Sequence, residues 1–221
     1  MNNSKFLLTA MVVICSTFLM VSNAFASSEV YAGDPEKGKE LASATGCMGC
    51  HGADGNSPVP NFPKIAGLGS KYIYRQLQNV RDGNRIIASM AGLLDNYNNE
   101  QLKDLAAFYN SQTLQISGSK PLEVKVNAGI KVDSLKLGAR VYRAGNLQTN
   151  VPSCIGCHSP RGLGNEPAGY PRLSGQYSEY IASQLRAYRD GERQHEIMNT
   201  VAKNMTNAEI DSVANFIAGL N

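Results

Sequence analysis

Two pentads of one form, Cys47-Met48-Gly49-Cys50-His51 and Cys154-Ile155-Gly156-Cys157-His158, constrain this chain more than any other feature. On a helical turn, positions i, i+3 and i+4 share one face. Two thiols on that face can bond the two vinyl groups of one porphyrin, and the adjacent imidazole then rises beneath the iron. This is the signature of covalent c-type haem attachment, and a proximal histidine is a common ligand of haem iron. Three other chemistries use paired cysteines. A redox Cys-x-x-Cys belongs beside a βαβ pattern, which the chain lacks. A zinc site built from all four thiols leaves both histidines without a role. Two disulfides need no histidine after either pair.

The pentads sit in a duplicated chain. With a shift of 108 residues, Phe62-Pro63-Lys64-Ile65-Ala66-Gly67 falls on Tyr170-Pro171-Arg172-Leu173-Ser174-Gly175. Ser70, Tyr72, Gln76 and Leu77 fall on Ser178, Tyr180, Gln184 and Leu185, and Arg81-Asp82-Gly83-Asn84-Arg85 on Arg189-Asp190-Gly191-Glu192-Arg193. The pentads themselves match with a shift of 107, so the second copy has gained one residue in the loop after its histidine. Two copies are too few for a solenoid, so the pattern reads as one domain duplicated.

Each copy reads as helical. Asp34-Pro35 is an N-cap followed by proline at the first helical position, opening a helix through Leu41, with its partner at about residues 134–142. Ser70 and Ser178 can cap a second helix that stops at Asp82-Gly83 and Asp190-Gly191, where glycine suits the left-handed position past a helix end. Asn98 with Gln101, and Thr206 with Glu209, form capping boxes for the last helix of each copy. Behind them Leu102, Leu105, Ala106 and Tyr109, and Ile210, Val213, Ala214 and Ile217, recur at helical spacing and mark one buried face. Between the copies, Gly118, Pro121 and Gly129 break the pattern, and Leu122-Glu123-Val124-Lys125-Val126 alternates. This stretch is either a linker with some extended structure or an ordered strap across the domain interface.

A second axial ligand is needed if the iron is to be closed on both faces. Met90 lies 39 residues after His51 and Met198 lies 40 after His158. Met48 aligns with Ile155 and Met205 with Tyr97, so Met90 and Met198 are the methionines in register late in both copies. Methionine opposite histidine raises the reduction potential. Met205 is the rival in the second copy, and core filling is the other use of a methionine. Pro63 and Pro171 follow the motif histidines by 12 and 13 residues. Their carbonyls are candidate acceptors for the second imidazole N–H, which a metal-bound histidine usually donates. Arg81, Arg85, Arg189 and Arg193 repeat in register, either to pair with propionates or as solvated helix ends. His195 aligns with Ile87 and reads as a surface residue near the second haem, with a proton-linked role as the alternative.

The N-terminus reads as an export signal. Lys5 supplies the positive charge, residues 6–21 are almost unbroken apolar sequence, and Ala24-Phe25-Ala26 offers a cleavage site before Ser27. An uncleaved anchor is the competing reading. Cleavage removes Cys15 and leaves four of the five cysteines, all in the pentads. The net charge of +3 indicates no nucleic-acid partner, and four haem propionates would turn the balance acidic. Residues 27–115 hold eight basic and nine acidic side chains, and residues 134–221 hold nine and seven. That asymmetry is too small to name a docking partner.

Taken together, the two pentads, Asn61-Phe62-Pro63-Lys64-Ile65-Ala66-Gly67, Met90-Ala91-Gly92-Leu93-Leu94-Asp95 and the ending Phe216-Ile217-Ala218-Gly219-Leu220 resemble the cytochrome c4 family over essentially all of the chain after residue 26. The resemblance implies an all-α protein of two tandem class I cytochrome c domains related by an approximate twofold axis, each wrapped around one covalent haem. The expected organisation is a signal peptide at 1–26, domain 1 at 27–115, a linker at 116–133 and domain 2 at 134–221. The expected cofactors are two haem c groups, bound by Cys47, Cys50, Cys154 and Cys157, with His51 and Met90, and His158 and Met198, as axial ligands. Gly38 against Phe108, and Gly138 against Phe216, match the family's crossing of first and last helices. The implied function is a periplasmic electron carrier, not an enzyme, exchanging single electrons with a terminal oxidase, a bc1-type complex or a dehydrogenase, with loose membrane association. The alternative is the electron-accepting subunit of a periplasmic dehydrogenase such as flavocytochrome c sulfide dehydrogenase. A di-haem peroxidase or thiosulfate oxidase needs an open or unusual axial position, which two methionines in register do not offer. Met205 departs from the family pattern, where an aliphatic residue is more usual.

Overall fold

The computed structural model describes residues 33–127 and 129–221. Lys5, Cys15 and the cleavage site lie outside the described residues. In the first half, α1 (Pro35–Ala44), α2 (Cys47–His51), α3 (Ser70–Arg81), a single 3-10 turn (Ala88–Met90) and α4 (Asn99–Ser111) follow in order. A hairpin of β1 (Glu123–Val126) and β2 (Ile130–Asp133) leads into the second half: α5 (Ser134–Ala144), α6 (Ile155–His158), α7 (Ser178–Asp190), α8 (Glu196–Lys203) and α9 (Asn207–Gly219). Among the described residues no helix is long and apolar enough to cross a membrane.

Helix starts follow local chemistry. The Asp34 carboxylate accepts from the N–H groups of Glu36 and Lys37, with Pro35 in the first turn. Both capping boxes form, Asn98 with Gln101 and Thr206 with Glu209. Both α1 and α5 outrun the expected ends at Leu41 and residue 142. Alanine at positions 42, 44 and 144 continues a helix readily, and the turn comes only at Gly46 and Gly145, both at positive φ. The serine caps are corrected. Ser70 and Ser178 are already helical, and Gly69 and Tyr177 hold the cap positions without side-chain bonds. At α3 the missing cap comes from the other half of the chain: Glu166 Oε1 accepts from the Lys71 N–H at 3.1 Å.

Each half is held by the crossing of its first and last helices. A Cβ on Gly38 would overlap the Asp104 carbonyl, and one on Gly138 the Ser212 carbonyl; each glycine also faces the Cβ of the expected aromatic, Phe108 or Phe216. The two cores solve one packing problem in opposite ways. In the first half a small Ala42 on α1 faces a last helix that carries Tyr109. In the second, Tyr142 on α5 is fully buried and Ile217 takes the Tyr109 position. The large aromatic thus moves from the last helix to the first between the two copies.

The segment between the copies is an ordered strap. Leu114 is buried in the first core. Three residues on, Ser117 N–H donates to the Gly175 carbonyl and Gly118 N–H to the Ala218 carbonyl. Lys120 exchanges two backbone bonds with the Asn215 amide, 2.9 and 2.8 Å. The halves also meet through a pseudo-twofold network. Arg85 donates to Tyr180 and Gln184, and Arg193 donates to Tyr72 and Gln76, in equivalent positions. These two arginines are therefore not solvated helix ends: they bridge the halves. Arg81 and Arg189 instead tie α3 and α7 to the carbonyls of Tyr97 and Met205. Burial alone would raise the Tyr72 phenol, but the guanidiniums of Arg193, Arg85 and Arg75 hold it below its ordinary value.

Gly138→Ala should destabilise the second half by about 1–3 kcal/mol, because the added methyl meets backbone that cannot yield. Gly156→Ala, with nothing within 4 Å of the new carbon, should stay within about 0.5 kcal/mol. Denaturant unfolding of the haem-loaded chain measures both.

Candidate functional site

Each pentad forms one short helical turn. In the first half it is α2, entered and left through Gly46 and Gly52, both at positive φ. Cys47, Cys154 and Cys157 are half-buried and Cys50 is exposed. None of the four is in a disulfide. Among the described residues no three His, Cys, Asp or Glu side chains gather as a metal site, which leaves the four-thiol zinc reading without geometry. Burial, with Cys157 adding to it, pushes the Cys154 thiol up to about 12, so it stays protonated near neutral pH.

The two histidines are oriented alike. His51 Nδ1 lies 2.9 Å from the Pro63 carbonyl, and His158 Nδ1 lies 2.9 Å from the Pro171 carbonyl. A carbonyl only accepts, so Nδ1 carries the hydrogen and Nε2 keeps its lone pair. Phe62 packs edge-on to His51 and Tyr170 is tilted against His158, with ring centroids 6.3 and 6.2 Å apart. Burial lowers the pKa of both imidazoles, outweighing the carbonyl bonds. Both rings are therefore neutral, with a free nitrogen, the form that binds a metal.

His158 borders an apolar cavity lined mainly by the second half. Cys154, Cys157, Pro171, Met198 and Met205 are among its lining. The lining suits a porphyrin: two cysteine sulfurs, an imidazole, two methionine thioethers, and aliphatic and aromatic side chains. Met198 sits near the start of α8, while Met90 ends the single 3-10 turn of the first half and packs, half-buried, on its core. Met205 is 4% exposed and belongs to the second core as well as to the cavity wall. Its carbonyl accepts from Arg189 as that of Tyr97 accepts from Arg81, so Met205 occupies the Tyr97 position.

His195 is more than a surface residue. It lines the cavity and caps α8, with Nδ1 accepting from the Met198 N–H at 3.4 Å. The aligned Ile87 has no such group, and the first half makes one 3-10 turn where the second makes a full helix. Sequence reading gave no sign that residues of the first half enter this cavity. Leu68, Tyr72 and Arg75 belong to the first half yet line the cavity of the second. No local motif marks them.

The cytochrome c family model matches residues 35–113 and 135–221. The chain is 39% identical over 202 residues to cytochrome c4 of Azotobacter vinelandii, covering 86% of this chain and 90% of that relative. It is 35% identical over 179 residues to a thiosulfate dehydrogenase electron acceptor of Thiomonas intermedia, covering 79% of this chain and 78% of that one. The crystal structure of reduced cytochrome c4 from Pseudomonas stutzeri superposes with a TM-score of 0.78 at 37% identity, over 86% of this chain and all of that one. Two haem-tether turns, two imidazoles held by proline carbonyls and this likeness over nearly the whole described chain lead to one conclusion: the chain belongs to the cytochrome c family, in the duplicated form of cytochrome c4, and carries two covalent haem c groups.

Proposed function

We propose that this chain is a periplasmic carrier of single electrons whose haems are bound by Cys47 and Cys50, with His51 and Met90 as axial ligands, and by Cys154 and Cys157, with His158 and Met198. The carrying observation is the cavity of the second half, walled by His158 and by Met198. Met198 is favoured over Met205 because it shares its place in the repeat with Met90, whereas Met205 shares its place with Tyr97, which cannot serve as a thioether ligand. When bound, haem supplies a reversible one-electron couple at its iron. The protein's own part is to fix the imidazole tautomer, to exclude water with the apolar walls, and to offer a ligand on the far side.

The proposed organisation keeps domain 1 at 27–115 and domain 2 at 134–221, with 116–133 between them, after removal of 1–26 as a signal peptide. Delivery of electrons to a terminal oxidase is the favoured direction. The second reading, an acceptor for a periplasmic dehydrogenase, draws support from the relative described as a thiosulfate dehydrogenase electron acceptor. Stopped-flow mixing of the reduced chain with an oxidase, and of the oxidised chain with a dehydrogenase, separates the two. Partners of either kind dock transiently through small patches.

Met198→Ala should abolish the sulfur-to-iron charge-transfer band of one haem. It should also lower that haem's potential by on the order of 0.1 V, a fraction of the range that axial ligands command. If Met205→Ala has that effect and Met198→Ala does not, the ligand assignment is wrong. Replacing Cys154 and Cys157 together by Ala should reduce the pyridine haemochrome count from two covalent haems per chain to one. With methionine closing both irons, carbon monoxide should leave the spectrum of the reduced native protein unchanged.

A further inference from the structure

Arg75 stands on α3, in the first half, yet its side chain lines the cavity of the second beside Tyr72 and Leu68. One terminal nitrogen donates to the Gly169 carbonyl at 3.0 Å. Gly169 directly precedes Tyr170 and Pro171, the pair that packs on and orients His158. The guanidinium is therefore anchored at the cavity rim. Its Nε is buried and has no hydrogen-bond partner, and Arg75 forms no salt bridge among the described residues. The other arginines of the cavity are committed. Arg193 donates to Gln184, Tyr72 and Gln76, and Arg172 Nε to Ser174. A buried N–H of a charged group is seldom left without an acceptor.

The arrangement is one-sided. Tyr72 and Gln76 repeat as Tyr180 and Gln184, but the residue that matches Arg75 is Ser183. Ser183 is exposed, and its hydroxyl bonds the Tyr180 carbonyl of its own helix at 2.8 Å. The second half returns no cation to the first at this position.

We propose that Arg75 pairs with a propionate carboxylate of the haem carried by the second half, so that the first half completes that site and raises its potential. The inference rests on the assignment of Cys154, Cys157 and His158 to that haem. A carboxylate near the iron favours the ferric state. One electron taken from a redox partner lowers the charge of the haem by one, and a guanidinium that neutralises the carboxylate favours that reduced form. The effect falls on one haem, because Ser183 offers the other nothing equivalent. Arg75 acts here as a positioning and potential-setting residue.

The test is a spectroelectrochemical titration of the full, two-haem chain and its Arg75→Gln and Arg75→Lys variants. The step of the second haem is identified as the one lowered by Met198→His. Arg75→Gln should lower that step and leave the other in place, shifting the sharing of one electron between the haems by up to about tenfold, or 59 mV. Arg75→Lys should keep the greater part of the wild-type value. The proposal is overturned if the second step does not move in Arg75→Gln, if both steps fall together, or if Arg75→Lys falls as far as Arg75→Gln. A haemochrome count other than two per chain would instead bring down the site assignment, and this inference with it.

Discussion

The hydrogen bond from each motif histidine to a proline carbonyl, 2.9 Å in both halves, links the features on which the protein's chemistry depends. It joins the short helical turn that carries the cysteines to a loop 12 or 13 residues further on. It fixes which imidazole nitrogen carries hydrogen, and so turns the other toward the place of the iron. Burial keeps the ring neutral, so the nitrogen stays available at physiological pH. The proline loop is itself held from the other half. Lys64, next to Pro63, exchanges backbone bonds with the Gln176 amide at 3.1 and 2.7 Å, and Arg172, next to Pro171, donates its N–H to the Leu68 carbonyl. The element that orients each imidazole is therefore also an element of the domain interface.

That coupling explains why two small helical units behave as one body. Each half alone has a modest core organised around the crossing of its first and last helices. Between them run charged and amide hydrogen bonds, which depend on geometry more than on area. Arg85 and Arg193 cross in equivalent directions, and the strap plants Leu114 in one core before bonding along the other half. Lys64 adds a cation 4.8 Å above the Tyr177 ring, and Tyr177 in turn donates to the Ser57 carbonyl. The departures from twofold symmetry are as informative as the symmetry. The residue gained after the second pentad belongs to a loop whose Glu166, Pro167 and Gly169 bond to Lys71 and Arg75 of the first half. The first half makes no reciprocal contact through Ser183.

The parts of the fold legible in the sequence are those set by neighbours within one helical turn. The pentads, both capping boxes, the buried faces of the last helices and the glycine stops have fixed spacings, and a 3.6-residue period makes them visible. The proline carbonyls were legible because the repeat put them at nearly the same distance from both histidines. Ser70 and Ser178 were misread because serine at a helix start suits both the cap and the first helical position; at Ser70 the choice was made by Glu166 from afar, and at Ser178 no side chain caps the helix. The helix at Glu196–Lys203 was not anticipated either, since its cap is a histidine nitrogen rather than the usual hydroxyl or carboxylate.

The sequence by itself determined that two haem-tether turns exist, that each presents its thiols and imidazole on one face, and that the same domain was made twice. Covalent spacing and helical period settle those matters without reference to anything distant. Only the tertiary structure decided that Arg85 and Arg193 bridge the halves, that Met205 shares the cavity with Met198, and that Arg75 reaches into a site belonging to the other half. Those contacts join residues that no local period relates. They follow from the angle at which two finished surfaces dock, and that angle is a property of the packed whole.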